Sequence, residues 1–193
     1  MNFLAHMYLS CGNDDMLIGN YIADFVRNRD LVLHSKEVVQ GVRLHRHIDS
    51  YTDTHVEVVK GTRLLRKDHG KYAPVVIDVC YDYILSKNWN RYSGESLREF
   101  ADRVYGVITR YEEELPPYLQ DIAPKMIADD FLLQYGTEAG LRKTFERIGK
   151  RAKYGGGWSM AFDSLLLHYD ALEEGFNRFF PEMIASVDAH CNC

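Results

Sequence analysis

Imidazole and carboxylate side chains interrupt apolar helical patterns at several places in the chain. Within residues 42–53, His45, Asp49 and Asp53 recur at four-residue steps. Residues four apart on an α-helix lie about 40° from each other, so these side chains form one stripe, and His47 points to roughly the opposite side. Groups of this kind on one stripe can bind a cation or move a proton.

Three further segments place acidic or imidazole side chains among apolar residues. Within residues 75–86, Asp78 and Asp82 follow the four-residue step among valine, tyrosine and leucine neighbours. Asp24 and His6 each lie among apolar residues nearer the start of the chain. A buried carboxylate is costly unless it is paired or bound to a cation, so these positions require an explanation.

One metal centre would account for all of these residues. Carboxylates from separate helices repel each other, and a divalent cation removes that repulsion and acts as a Lewis acid that lowers the pKa of bound water. Imidazole and carboxylate ligands without thiolate suit Mn²⁺, Mg²⁺, Fe²⁺ or Zn²⁺ but not a structural zinc site. The predicted metal ligands are His6, Asp24, His45, Asp49, Asp78 and Asp82.

Each residue also has an ordinary structural interpretation. His6 can be a hydrogen-bonded core histidine, and Asp24 can cap a helix or pair with Arg27. Asp49 and Asp53 can form surface ion pairs. The residues alone therefore leave open a non-catalytic helical interaction module in which the acidic stripes are ion pairs.

The elements that must position these groups are predicted to be helices. Apolar residues recur mostly at three- and four-residue steps, and no hairpin pattern occurs. The pattern predicts an all-α single domain over residues 1–193 with about eight or nine helices. Two of them begin at Ser35 and Pro74, and the others cover residues 2–11, 14–26, 55–68, 96–115, 125–135, 138–150 and 159–179.

Composition excludes several classes of protein. The chain has 193 residues, with 23 Lys and Arg against 28 Asp and Glu, and this net charge of −5 argues against broad nucleic-acid binding. No apolar run approaches the roughly 20 residues of a membrane helix. The four cysteines form no C-x-x-C pair, which speaks against a disulfide framework and favours a cytoplasmic location. Phosphate-loop and nucleophile-elbow motifs are absent from the sequence.

Several segments share their residues, order and spacing with one enzyme family. They are Met1-Asn2-Phe3-Leu4-Ala5-His6, Gly19-Asn20 with Ala23-Asp24-Phe25-Val26, Gly41 with His45-Arg46 and Ile48-Asp49, Thr52-Asp53, Ala73-Pro74 with Asp78 and Asp82, His168-Tyr169-Asp170 and Phe179-Phe180-Pro181. In these segments the chain resembles the acyl carrier protein phosphodiesterases. The resemblance implies a fold like that of the HD phosphohydrolases, although this chain has no adjacent His-Asp pair.

The resemblance also implies an activity. It is hydrolysis of the phosphodiester between the serine of holo-acyl carrier protein and 4′-phosphopantetheine, with Mn²⁺ as the expected metal. Asp24, Asp53 and Asp82 are then candidates for catalytic carboxylates, and Arg46 for binding a phosphate oxygen. An alternative is a related metal phosphohydrolase that acts on a nucleotide or another small phosphoester.

One further segment is a candidate docking surface for the expected partner. Carrier proteins are acidic, so an acidic enzyme needs a local positive surface for docking. Residues 142–153 contain six cations and one acid, Glu146. The predicted dock consists of Arg142, Lys143, Arg147, Lys150, Arg151 and Lys153, and the alternative interpretation is a solvated basic face.

Overall fold

The computed structural model describes residues 1–152, 155 and 157–191, and these contain eleven α-helices and no strand. The helices are α1 (Phe3–Tyr8), α2 (Asp14–Ile22), α3 (Lys36–Thr54), α4 (Val56–His69), α5 (Ala73–Lys87), α6 (Leu97–Arg110), α7 (Pro117–Ala128), α8 (Phe131–Gln134), α9 (Glu138–Arg151), α10 (Ala161–Leu167) and α11 (Tyr169–Cys191). Short 3₁₀ turns cover Ala23–Phe25, Asn28–Leu33, Gly70–Tyr72, Trp89–Arg91, Glu112–Glu114 and Trp158–Met160. The all-α prediction is confirmed.

The described helices outnumber the eight or nine that we predicted, for local reasons. Pro117 begins α7, where its missing N–H costs no hydrogen bond, so this helix starts earlier than residue 125. Asp130 adopts a left-handed conformation with φ 57° and separates α8 from α7. The predicted helix 159–179 is divided near His168, and α11 continues past Pro181 because Met183 and Val187 remain buried in the core.

Polar caps define several of the predicted helix starts. The Ser35 hydroxyl accepts a hydrogen bond from the Val38 backbone N–H at 3.2 Å and caps α3 as predicted. At α6, Ser96 and Glu99 form a reciprocal capping box. At α2, the Asn13 side-chain oxygen accepts a hydrogen bond from the Met16 backbone N–H at 2.9 Å.

The core is built largely around α11. Its Phe176, Phe179 and Phe180 are fully buried and pack around Tyr81 and Tyr92. Buried apolar residues from Met1 to Val187 belong to one continuous core. Among the described residues, none of the helices combines the length and the hydropathy that a membrane-spanning helix requires.

The described cysteines differ in state. Cys80 is buried in the core and Cys191 is half-buried, and both are free thiols. Cys11, in contrast, is disulfide-bonded.

Helices α2 and α3 approach each other at two glycines. A Cβ atom on Gly41 would overlap the Met16 carbonyl oxygen and lie 2.8 Å from the Gly19 Cα. A Cβ atom on Gly19 would overlap the Val38 carbonyl oxygen. Because only glycine allows this backbone contact, it determines how closely Asn20, the residue after Gly19, lies to the middle of α3.

We expect Gly41→Ala to lower the free energy of unfolding by about 1–3 kcal/mol, because the added methyl group must push the two backbones apart. Denaturant unfolding measures this change. The matched control is Gly106→Ala in α6, where an added Cβ meets nothing within 4 Å. The control should be neutral or stabilising by up to about 1 kcal/mol, and equal losses in both variants would contradict the role of the close contact.

Candidate metal centre

Three helices each bring one polar side chain to the same buried position. His6 of α1, Asn20 of α2 and His45 of α3 are 3%, 1% and 8% exposed. The two imidazole rings stack, with centroids 4.0 Å apart and 14° between their planes. The Asn20 side-chain oxygen lies 2.9 Å from His6 Nδ1 and 3.0 Å from His45 Nδ1.

The hydrogen bonds of Asn20 determine which edge of each ring faces which partner. Its Nδ2 group donates to the His6 carbonyl oxygen at 2.7 Å and to the Ser10 hydroxyl at 3.0 Å. The amide oxygen must therefore face the two rings, and an oxygen in this position accepts from Nδ1–H of both. Both Nε2 atoms then point away from Asn20, as expected for histidines whose tautomer is set by an outer partner.

Asp49 lies opposite both Nε2 atoms. One of its carboxylate oxygens is 3.1 Å from His6 Nε2, and the other is 3.1 Å from His45 Nε2. Asp24, in the turn after α2, is 3.3 Å from His45 Nε2, but its side chain is mostly exposed. Ligand atoms of His6, His45 and Asp49 all lie within 4.8 Å of one another, so this group could hold a metal ion.

The protons available to the two rings cannot satisfy all the oxygens around them. Each ring nitrogen faces at least one acceptor oxygen, and filling every position with a proton would require two stacked imidazolium cations. Although Asp24 and Asp49 are close to the buried His45 Nε2, neither accepts a well-directed hydrogen bond from it. A cation beside both Nε2 atoms would resolve the conflict, because each ring would then need only its Nδ1 proton.

The pKa values of the two histidines and Asp49 reflect burial and the charges of the neighbouring groups. Burial lowers the pKa of His6 to about 4. Burial also disfavours the charged form of His45, but the nearby carboxylates of Asp24 and Asp49 outweigh it and raise its pKa to about 9. Burial would raise the pKa of Asp49, yet the two imidazoles hold it well below its usual range. The donor set therefore fits a cation.

Asp78 of α5 faces this group from the other side. Its carboxylate lies 3.1 Å from the Met1 ammonium nitrogen, which is also 3.6 Å from Asp49. Burial raises the pKa of Asp78, and the ammonium acts in the opposite direction. The carboxylates of α3 and α5 thus share one positive charge.

Asp82 is fully buried and contacts the start of α1. It accepts hydrogen bonds from the backbone N–H groups of Leu4 at 2.7 Å and Ala5 at 3.3 Å. Burial raises the pKa of Asp82 to about 7, while these two bonds favour its charged form. Asp82 therefore fixes the helix that carries His6, and its predicted roles in metal binding and catalysis stay predictions.

Arg46 and Asp53 are exposed on α3. Arg46 forms no ion pair with an acid among the described residues. Asp53 lies near enough to Asp78 to raise the pKa of that carboxyl. His47 points away from the cluster as predicted, with Nε2 2.9 Å from the Ser186 hydroxyl.

Asn20 is the residue of this site that our sequence reasoning missed. It belongs to the Gly19-Asn20 segment of the family resemblance but was not predicted as a site residue. The available signal was of the same kind as for His6, a polar residue between Ile18 and Tyr21 on an apolar helix.

A cavity of about 510 Å³ opens beside the cluster. Asp24 and Asp78 lie in its wall, and the opposite wall is formed by α7, the segment around α8, and α9. Most of the lining is apolar, and the cations in it are Lys125, Lys143, Arg147 and Arg151.

The predicted basic dock on α9 is largely neutralised within the protein. Arg142 pairs with Glu138 and Asp163, and Lys150 pairs with Glu146. Lys143 and Arg147 both contact Asp129 at 2.8 Å. Arg151 donates to the Tyr118 hydroxyl at 2.7 Å, and Lys153 lies outside the described residues.

Comparisons with known proteins point to one family. A family model described as acyl carrier protein phosphodiesterase matches residues 1–183. A protein of that name from Photorhabdus laumondii is 30% identical over 189 residues, which cover 97% of this chain and 96% of that protein. Proteins of the same name from Salmonella newport and Salmonella enteritidis are 31% identical over 188 residues, 97% of each chain. No solved structure matches the chain.

In the metal-free protein, we expect His45 to remain protonated up to about pH 9 and His6 to remain neutral down to about pH 4. Histidine titration by NMR measures both pKa values. Asp24→Asn should lower the pKa of His45, because it removes a carboxylate that stabilises the imidazolium. Asp30→Asn, which removes an exposed carboxylate paired with Arg29, is the control and should leave it unchanged. Titration of both rings near their ordinary pKa would contradict the geometry.

Proposed function

Because the chain belongs to the acyl carrier protein phosphodiesterase family, we propose that it hydrolyses the phosphodiester between the serine of holo-acyl carrier protein and 4′-phosphopantetheine. The products are apo-carrier protein and free 4′-phosphopantetheine. The observation that carries the proposal is the pair of stacked imidazoles that Asn20 turns toward Asp49, beside a cavity large enough for a prosthetic group.

The proposed cofactor is a divalent cation. His6 Nε2, His45 Nε2 and Asp49 would hold it, with Asp24 close to His45 and Asp78 beside the Met1 ammonium that also contacts Asp49. Mn²⁺ is the metal that the resemblance implies, and Mg²⁺, Fe²⁺ or Zn²⁺ also suit imidazole and carboxylate ligands. When bound, such a cation supplies Lewis acidity and lowers the pKa of water.

The residues of the chain have separate proposed roles. Asp24 is exposed at the cavity and close to His45, so its carboxylate can accept a proton from the attacking water. Asp82 and Asp53 are alternatives, but the oxygens of Asp82 are already bonded to the start of α1. Arg46 follows His45 on α3, is exposed and pairs with no acid among the described residues, so its guanidinium can bind a phosphate oxygen.

The proposed dock of the carrier protein is the edge of the cavity on α9. Lys143, Arg147 and Arg151 line the cavity from this helix, and an acidic partner seated there would also face Asp24 and Asp78 across it. Since Asp129 already neutralises part of this surface, complementary charge would mainly orient the partner.

Neither alternative function has a specific observation in its favour. A nucleotide phosphohydrolase would share the centre, and an interaction module would need only its ion pairs, but the family favours the carrier protein as substrate. A fold like that of the HD phosphohydrolases and a cytoplasmic location both stay predictions.

The test of the function is mass spectrometry of holo-acyl carrier protein after incubation with this protein. We expect loss of the 4′-phosphopantetheine group with Mn²⁺ and no loss with a chelator. Asn20→Ala should lower activity at limiting Mn²⁺ by about 10–100-fold, the usual cost of losing an outer partner of metal-binding histidines. Asn88→Ala is the control, since this amide bonds Ile84 and Glu173 instead. An unchanged carrier mass with the metal-loaded wild type would refute the proposal.

For the dock, we expect the double variant Arg147→Glu/Arg151→Glu to raise KM for holo-carrier protein by about 10-fold. Hydrolysis of bis(4-nitrophenyl) phosphate, which has no protein part, should change little. The control is Arg103→Glu/Arg110→Glu on α6, where both arginines are also exposed and paired with acids. Equal losses on both substrates would count against the dock.

A further inference from the structure

A second cavity, of about 530 Å³, lies between the end of α3, one face of α4 and the start of α5. Its lining shares no residue with the cavity beside the histidine cluster. None of the residues that could hold a metal ion lines it either. Its volume falls within the roughly 300–1,000 Å³ of small-molecule sites, so it is a separate candidate binding site.

The interior of this second cavity is apolar. Val58 and Ile77 are 3% and 1% exposed, and both contribute to its lining. Val59 and Pro74 line it as well and are half-buried. An apolar group that covers these side chains is removed from water together with them, which favours binding.

Two arginines of α4 line the same cavity. Arg63 and Arg66 are exposed, and neither pairs with an acid among the described residues. Side chains three apart on a helix are neighbours, with about 5–6 Å between their Cβ atoms, so two like charges in these positions repel each other. One anionic group bound between the two guanidinium groups would replace this repulsion with attraction.

The exposed arginines of α6 show the more usual arrangement, in which an acid of the protein is the partner. Arg103 pairs with Glu95, and Arg110 pairs with Asp14. Asp53 lines the second cavity too, but within the described part of the chain it forms no ion pair with either arginine of α4. The donors of these two arginines are therefore available to a ligand.

The lining as a whole indicates one chemical class of ligand. A guanidinium binds phosphate oxygens through two parallel N–H donors, and the three terminal oxygens of a phosphate monoester suffice for both arginines. The hydroxyl of Thr62, which also lines the cavity, can donate a further hydrogen bond. The apolar interior favours a phosphate that is attached to a compact apolar body over a free phosphate ion.

We propose that the cavity between α3, α4 and α5 binds a compact organic phosphate monoester. Arg63 and Arg66 hold its phosphate group at the exposed edge of the cavity. Its apolar body covers Val58 and Ile77 in the interior. The site does not depend on the proposed function, because no residue proposed to hold the metal ion or to dock the carrier protein lines this cavity.

The experiment titrates the full chain with phenyl phosphate and follows methyl resonances by NMR. We expect the methyl signals of Val58, Val59 and Ile77 to shift and to saturate. Arg63→Gln/Arg66→Gln should weaken the Kd measured on these signals by about 100-fold, because each lost hydrogen bond to a charged group costs about 10-fold. Both arginines are exposed and unpaired among the described residues, so the variant should melt like the wild type.

Three controls separate the site from a general response to charge. Arg103→Gln/Arg110→Gln removes two exposed arginines outside both cavity linings and should leave the Kd unchanged. Inorganic phosphate tests the head of the ligand alone, and phenol tests its body alone. Each should bind at least about 10-fold more weakly than phenyl phosphate, because each lacks one of the two contacts.

Several outcomes would overturn the proposal. One is the absence of shifts at Val59 and Ile77 at millimolar phenyl phosphate. Another is equal weakening by the two double variants, which would reveal a response to net charge. Inorganic phosphate or phenol binding as tightly as phenyl phosphate would refute the proposed ligand class. None of these measurements requires cleavage of holo-carrier protein, so the proposed function stands or fails separately.

Discussion

The site depends on one constraint: two stacked imidazoles carry too few protons to donate a hydrogen bond to every oxygen around them. Asn20 takes the Nδ1 edge of His6 and His45, and carboxylates face both Nε2 edges. Two imidazolium rings 4.0 Å apart would repel each other, so the rings cannot satisfy every acceptor by protonation. The raised pKa of His45 and the ammonium beside Asp78 are two local responses to the same excess of negative charge.

The surrounding fold serves to hold these groups at short range. Asp82 bonds the first backbone N–H groups of α1 and thereby fixes the helix of His6. The glycine contact between α2 and α3 brings Asn20 close to His45. Neither interaction requires a residue that touches the substrate, yet both determine the distances in the cluster. The candidate site is thus supported by the buried carboxylate of Asp82 and by the close contact of Gly19 and Gly41.

The cavity beside the cluster has walls of two kinds. It joins the carboxylate end to a mostly apolar wall in which the cations of α9 are neutralised by Asp129 or bonded to Tyr118. The lining therefore has a charged end at the carboxylates and a mostly apolar wall opposite them.

The sequence by itself determined the helical class, the N-cap at Ser35 and the stripe of His45 and Asp49, because helical periodicity and capping are local properties. It also indicated that His6 and Asp24 lie near that stripe. Only the tertiary structure decided that Asp82 anchors α1, that Asn20 orients both histidines, and that the α9 cations are paired. These relations join residues up to 78 positions apart, and spacing along one helix carries no information about what another helix places opposite it.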